Sequence, residues 1–147
     1  MRDALLSIHL LAAATWIGGT IALVFAGVPA IRQLEGEARA ATLRELGRRW
    51  RPLGWGALAV LLASGLILAN RDGLFGRALL WVKLGLVAAL AATSYLHDYV
   101  LGPALARQIK AREPETVRPR LVAVGWTTFG LTLIVPVLGV ILVETSR

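Results

Sequence analysis

The chain contains no cysteine, and its single methionine is Met1. The first absence excludes a disulfide framework and any thiolate metal site, and leaves the redox compartment unreadable. The second leaves soft-metal chemistry without thioether ligands. Histidine is nearly as scarce, with His9 and His97 making up the pair. No GxSxG, HExxH or phosphate loop occurs, so hydrolase and kinase equipment is missing. No internal repeat or low-complexity tract stands out, which leaves an inverted-repeat transporter unsupported. A charged substrate's path would also need more polar groups along it than these spans carry.

What is present is apolar. Of 147 residues 56% are hydrophobic, and the mean hydropathy is +0.66. Four stretches, residues 4–29, 53–70, 78–102 and 121–143, each approach or exceed the ~20 residues that cross a bilayer as a helix. The composition supplies one helical bundle and leaves nothing for a soluble domain, so residues 1–147 are read as a single integral membrane domain. The first stretch is too long for the apolar core of a cleaved signal, about 7–15 residues, and is expected to be a retained helix. The fold class is therefore all-α, a four-transmembrane-helix antiparallel bundle.

Sixteen Lys and Arg outweigh nine Asp and Glu, and the excess sits in loops beside the spans. Anionic lipid headgroups account for these charges, and nucleic acid is not expected as a partner. Loops 31–51 and 104–120 carry most of the basic residues. The positive-inside rule puts both in the cytoplasm and both termini outside, in a multi-pass protein of the inner (plasma) membrane. The Asp72-Gly73 turn joins the second and third spans tightly and forces them antiparallel. Residues 38–50 mix Ala, Leu, Arg and Glu at helical spacing and should extend a helix beyond the membrane or lie on its surface. Pro29, Pro52, Pro103, Pro114 and Pro119 fall at span ends or in loops, whereas Pro136 lies inside the fourth span and should kink it. Small residues such as Ala12, Gly18 and Gly19 in the first span and Ala88, Ala89, Ala91 and Ala92 in the third make those two spans expected neighbours.

Function has to be argued from His9, Lys83 and His97, because an ionisable group inside a span is expensive and usually has a task. At 100° per residue His9, Trp16 and Thr20 share one face of the first helix. Lys83, Val87, Leu90, Ser94 and His97 form one stripe on the third. With a rise of ~1.5 Å per residue, Lys83 and His97 stand about 21 Å apart, so the two histidines belong to different levels. At the outer level His9 is a candidate ligand for haem iron or copper, with Trp16 as wall and Lys83, Arg2 or Arg77 as the cation for an anionic group. At the inner level the candidates are His97 with Arg49, Arg51 or Arg120, and Trp126 nearby. The competing structural role is a hydrogen bond from each imidazole to a carbonyl or hydroxyl of a neighbouring helix, with Ser7, Thr15, Thr20, Thr93, Ser94, Thr127 and Thr128 available. Lys83 can also snorkel outward, and Trp50, Trp55, Trp81 and Trp126 fit an aromatic belt.

Two segments carry a resemblance. His9-Leu10-Leu11-Ala12-Ala13-Ala14-Thr15-Trp16-Ile17-Gly18-Gly19 is one; Trp81-Val82-Lys83-Leu84-Gly85-Leu86-Val87 leading to Tyr95-Leu96-His97-Asp98-Tyr99-Val100-Leu101-Gly102-Pro103 is the other. Together they resemble the copper-resistance D (CopD) family, within a broader superfamily that includes HemJ-type protoporphyrinogen oxidases. CopD-like membership implies copper handling at the inner membrane. HemJ-like membership implies a b-type haem held by the first-helix histidine, with His9 as ligand and Lys83 as its functional partner, and a tetrapyrrole oxidase activity. A third expectation is a non-catalytic helical subunit, as a homodimer or inside a larger membrane complex.

Overall fold

The computed structural model describes residues 1–144. Four helices, α1 (Arg2–Arg32), α2 (Gly36–Arg71), α3 (Ala78–Ala111) and α4 (Arg118–Glu144), are each long and apolar enough to cross a membrane. No strand occurs among the described residues. Their outer surface is lined by side chains that water would reject, including Leu11 at 69%, Phe25 at 61%, Leu53 at 61% and Val140 at 63% exposure. Only lipid makes such a surface stable, and the chain is a multi-pass membrane protein.

The chain runs up and down through short connections. At the end that carries the termini, the exposed Arg2 guanidinium forks onto the Asp72 carboxylate at 3.0 and 3.2 Å. Beside it, Ala69, Leu74, Leu80 and Leu142 pack together, so the ends of α2 and α4 meet the start of α3. At the opposite end Ala40 of α2 packs on Leu105 and Ile109 of α3. There Arg39 also donates to Glu115 in the α3–α4 connection at 2.7 Å.

The helices are longer than their apolar cores suggest. Residues 38–50 do extend a helix, but without a break: α2 runs through Pro52 as one piece of 36 residues. Most of the expected loops 31–51 and 104–120 is therefore helical, with 33–35 and 112–117 left as connections. Pro29 and Pro103 likewise lie within helices and not at their ends. A proline ring clashes with the carbonyl four residues back, here those of Phe25 and Tyr99. Both carbonyls fall inside widened π-helical turns, Leu23–Gly27 and Leu96–Leu101. There the Val28 and Gly102 amides bond five residues back, to the carbonyls of Leu23 and His97. Widening the turn makes room for the ring while keeping backbone groups bonded, as hydrocarbon requires. α4 continues through Pro136.

The first and third helices are not close neighbours: α1 packs chiefly on α2, and α3 chiefly on α4 and on α2's first half. The cause is where the small residues face. Ala88, Ala89 and Ala92 lie exposed on α3, whereas Gly19 of α1 faces α2 and leaves room for the Trp50 ring, which also lies against Gly54. Trp50 and the 5%-exposed Trp16 sit 6.4 Å apart by ring centroid. Trp16 anchors the centre of the bundle, packing with Ala57, Leu58 and Leu90 and donating Nε1–H to Thr132 Oγ1 on α4 at 3.1 Å.

That bond should register in a double-mutant cycle of Trp16→Phe and Thr132→Val, with a coupling of about 0.6–1.7 kcal/mol by thermal unfolding in detergent; strictly additive variants would show that it contributes nothing. The Arg2–Asp72 pair sets a second expectation. Its guanidinium hydrogen bond holds the Asp72 carboxyl below the usual carboxylate range. The stabilisation is therefore present at neutral pH and lost as pH falls through that lowered value. Asp72→Asn should melt earlier than the parent at pH 7, and the two melting curves should merge well below pH ~4.

Candidate functional site

Lipid on one side and apolar neighbours on the other leave few places for an ionisable side chain on these helices. His9, Lys83 and His97 each lie against a glycine of a facing helix. A Cβ built at Gly65 of α2 would stand 3.2 Å from His9 Cε1; one at Gly139 of α4 would stand 2.8 Å from Lys83 Nζ; one at Gly125 of α4 would stand 3.5 Å from His97 Nε2. The sequence contained this signal as glycines within spans, but only the fold pairs each glycine with its partner.

His9 is held more closely than by space alone. Its Nδ1 lies 2.8 Å from Ser64 Oγ, and Ser64 Oγ lies 2.5 Å from the Val60 carbonyl one turn back on α2. Ser64 is 3% exposed. The carbonyl can only accept, so the serine proton goes to it, and the serine oxygen must accept from His9. That ordering places the imidazole proton on Nδ1 and leaves Nε2 with its lone pair. The expected structural role for His9, a hydroxyl on a neighbouring helix, is thus filled at one nitrogen. The other nitrogen remains a Lewis base.

His9 and Lys83 meet across one cavity of about 110 Å³, lined also by Trp16, Leu61, Leu84 and Pro136. α1 and α2 supply the imidazole wall, and α3 and α4 supply the wall with Lys83. The amine turns inward to Gly139 instead of snorkelling, and among the described residues it has no ion pair or hydrogen bond. Arg2 is engaged at Asp72, and Arg77 is exposed at the start of α3.

The level of His97 is separate. The widened turn Leu96–Leu101 carries His97, Asp98 and Tyr99. His97 Nδ1 lies 2.9 Å from Asp98 Oδ1, which is how a carboxylate orients an imidazole and frees its Nε2. Arg51 donates to the Asp98 backbone carbonyl and lies 4.8 Å from the Tyr99 ring centroid. Tyr99 stacks on Tyr95 at 5.1 Å, and Trp55 meets both rings. Ser94 Oγ, Thr128 Oγ1, Trp55 Nε1 and Arg51 Nε are buried without partners, a set of polar groups around His97 that sequence reasoning had assigned only in part. Arg49 is occupied by Glu45, Arg120 is exposed, and Trp126 is 56% exposed. Trp81 and Trp126 face outward as an aromatic belt should, while Trp50 and Trp55 turn into the bundle.

The donors present decide what fits. No group of three or more His, Asp or Glu side chains capable of holding a metal occurs among the described residues, so neither level is a closed site for a resident ion. A porphyrin does not fit beside His9, since about 110 Å³ is below the roughly 300 Å³ at which small-molecule pockets begin. An ion with one or two small co-ligands does fit, at about 10–15 Å³ per water-sized occupant.

No curated protein and no solved structure matches the chain. The family model described as copper resistance protein D matches residues 44–142, which takes in Arg51, Ser64, Gly65, Lys83, His97, Gly125 and Gly139. His9 itself precedes the matched residues, although its hydrogen-bond partner Ser64 and the Gly65 and Lys83 that line its cavity lie within them. With that match spanning more than half of the sequence, the chain belongs to the copper resistance protein D family.

Proposed function

We propose that the protein handles copper within the plasma membrane, with His9 as the intramembrane ligand and Lys83 acting on the same ion from across the cavity. The observation that carries the reading is the hydrogen-bond chain from His9 Nδ1 to Ser64 and on to the Val60 carbonyl, on a histidine that lines a cavity of about 110 Å³. Imidazole nitrogen is a good copper ligand. Family membership supports copper as the cargo. His97, oriented by Asp98 and given room by Gly125, is a second imidazole prepared in a similar way at the other level. The basic ends of α2 and α3 support an orientation with the connections 33–35 and 112–117 in the cytoplasm and both termini outside, with anionic headgroups as their partners. A haem-binding or tetrapyrrole-oxidising role is less well supported, because the macrocycle exceeds the cavity.

Competition with a Cu(I) chelator on the purified full chain tests the reading. His9→Ala should abolish the binding event that His97→Ala leaves in place, and wild-type affinity in His9→Ala would overturn the proposal. Ser64→Ala removes the group that orients the ring and should weaken binding by about 10- to 100-fold. Nitrogen-15 shifts of His9 in the copper-free protein should report the Nδ1–H tautomer in wild type and its loss in Ser64→Ala.

A further inference from the structure

The charge balance of the His9 cavity is unusual for a copper site. Its ionisable members are an imidazole and a primary amine, no carboxylate lines it, and its indole and hydroxyl, Trp16 and Thr132, are bonded to each other. Lys83 Nζ has no anionic partner among the described residues, and it lies against Gly139, where a Cβ would stand only 2.8 Å away. An ammonium held among leucines without a counter-charge is costly. A bare copper cation on His9 would add a second positive charge to the same enclosed space, at short range and low dielectric. An anion between the two walls relieves both conditions at once.

We propose, resting on the copper reading above, that this cavity takes copper as an anion-paired species: a copper(I) ion bound on one side by His9 Nε2 and on the other by a small monovalent anion that pairs with the Lys83 ammonium. Halide is the chemical class that fits, being monatomic, a ligand for copper(I) and an acceptor for N–H. Two-coordinate copper(I) needs only these two ligands, which matches a site with one free imidazole lone pair and no second histidine, cysteine or methionine lining the cavity. The positive lysine and the neutral copper–halide unit then share the space without mutual repulsion. Lys83 is in this scheme a selectivity device, favouring a charge-compensated cargo over the naked ion. No bond to carbon forms or breaks and no electron is transferred.

The test compares copper(I) affinity of the full chain, by chelator competition at constant ionic strength, in sodium chloride and in sodium gluconate. The reference for each medium is a chain carrying both His9→Ala and Lys83→Leu, which corrects for chloride binding copper in solution and adds no copper ligand. Wild type should bind at least about tenfold more tightly in chloride, given the strength of a charge pair at low dielectric. Lys83→Leu should lose that gain and bind better than wild type in gluconate, and Lys83→Arg should restore the gain. Copper X-ray absorption should show one nitrogen and one chloride neighbour in wild type. Equal affinity in both media, or a Lys83→Leu loss that is the same in both, would overturn the proposal, the latter meaning that the amine is itself a ligand. Retained copper binding in His9→Ala would instead overturn the copper reading. If no copper binds in either medium that reading falls too, and chloride-35 line broadening by wild type but not by Lys83→Leu still decides whether the cavity holds the anion.

Discussion

Hydrocarbon offers no partner to a polar atom, and this one constraint shapes the bundle from the backbone outward. Every hydrogen-bonding group within the spans must be satisfied by the protein or by what it carries. Ser7, Thr15, Thr20, Thr42, Thr93 and Thr127 meet the constraint locally by returning their hydroxyl protons to carbonyls one turn back. Trp16 meets it across the bundle at Thr132. Pro29 and Pro103 meet it by widening the turns that precede them. Among the atoms that do not meet it, Lys83 Nζ lies near one end and Ser94 Oγ, Thr128 Oγ1, Trp55 Nε1 and Arg51 Nε toward the other.

Glycine is what lets those groups exist inside a packed membrane protein. Replacing the hydrogen at Gly65 or Gly139 by a methyl group would press it against His9 or Lys83, whereas at Gly125 it would come into ordinary contact with His97. The functional side chains and the small residues facing them therefore form a single arrangement on different helices. Small residues in membrane helices are usually read as a means of bringing backbones together, and Gly19 against Trp50 does serve that end. Elsewhere in this bundle they make room for charge.

Much of the architecture could be read from the sequence because hydropathy and helical phase are local properties. The four spans, the tight turn at Asp72-Gly73, the extension over residues 38–50 and the shared level of His9 and Lys83 all follow from period and rise. Helix adjacency could not be read so directly. Alanines on α3 resemble a packing face whether they point at a helix or at lipid, and in a bilayer both surroundings are equally apolar. Helix ends were misplaced for a related reason: proline is a terminator in water but is accommodated inside a span by a wider turn. The site was half legible. An intramembrane histidine announces itself, yet which nitrogen is free depends on Ser64 and Val60, fifty and more positions away on another helix.

The pairing of α1 with α2 bears on how the protein is made. A chain that enters the bilayer as successive hairpins can complete the first one, Arg2 to Arg71, before the span carrying Lys83 enters the membrane. That hairpin already contains His9, Ser64, Val60 and Gly65, so the imidazole can be locked into its tautomer during biogenesis, independently of the second hairpin. The later arrival of α3 and α4 adds the opposite wall and closes a chamber whose chemistry on one side was settled beforehand.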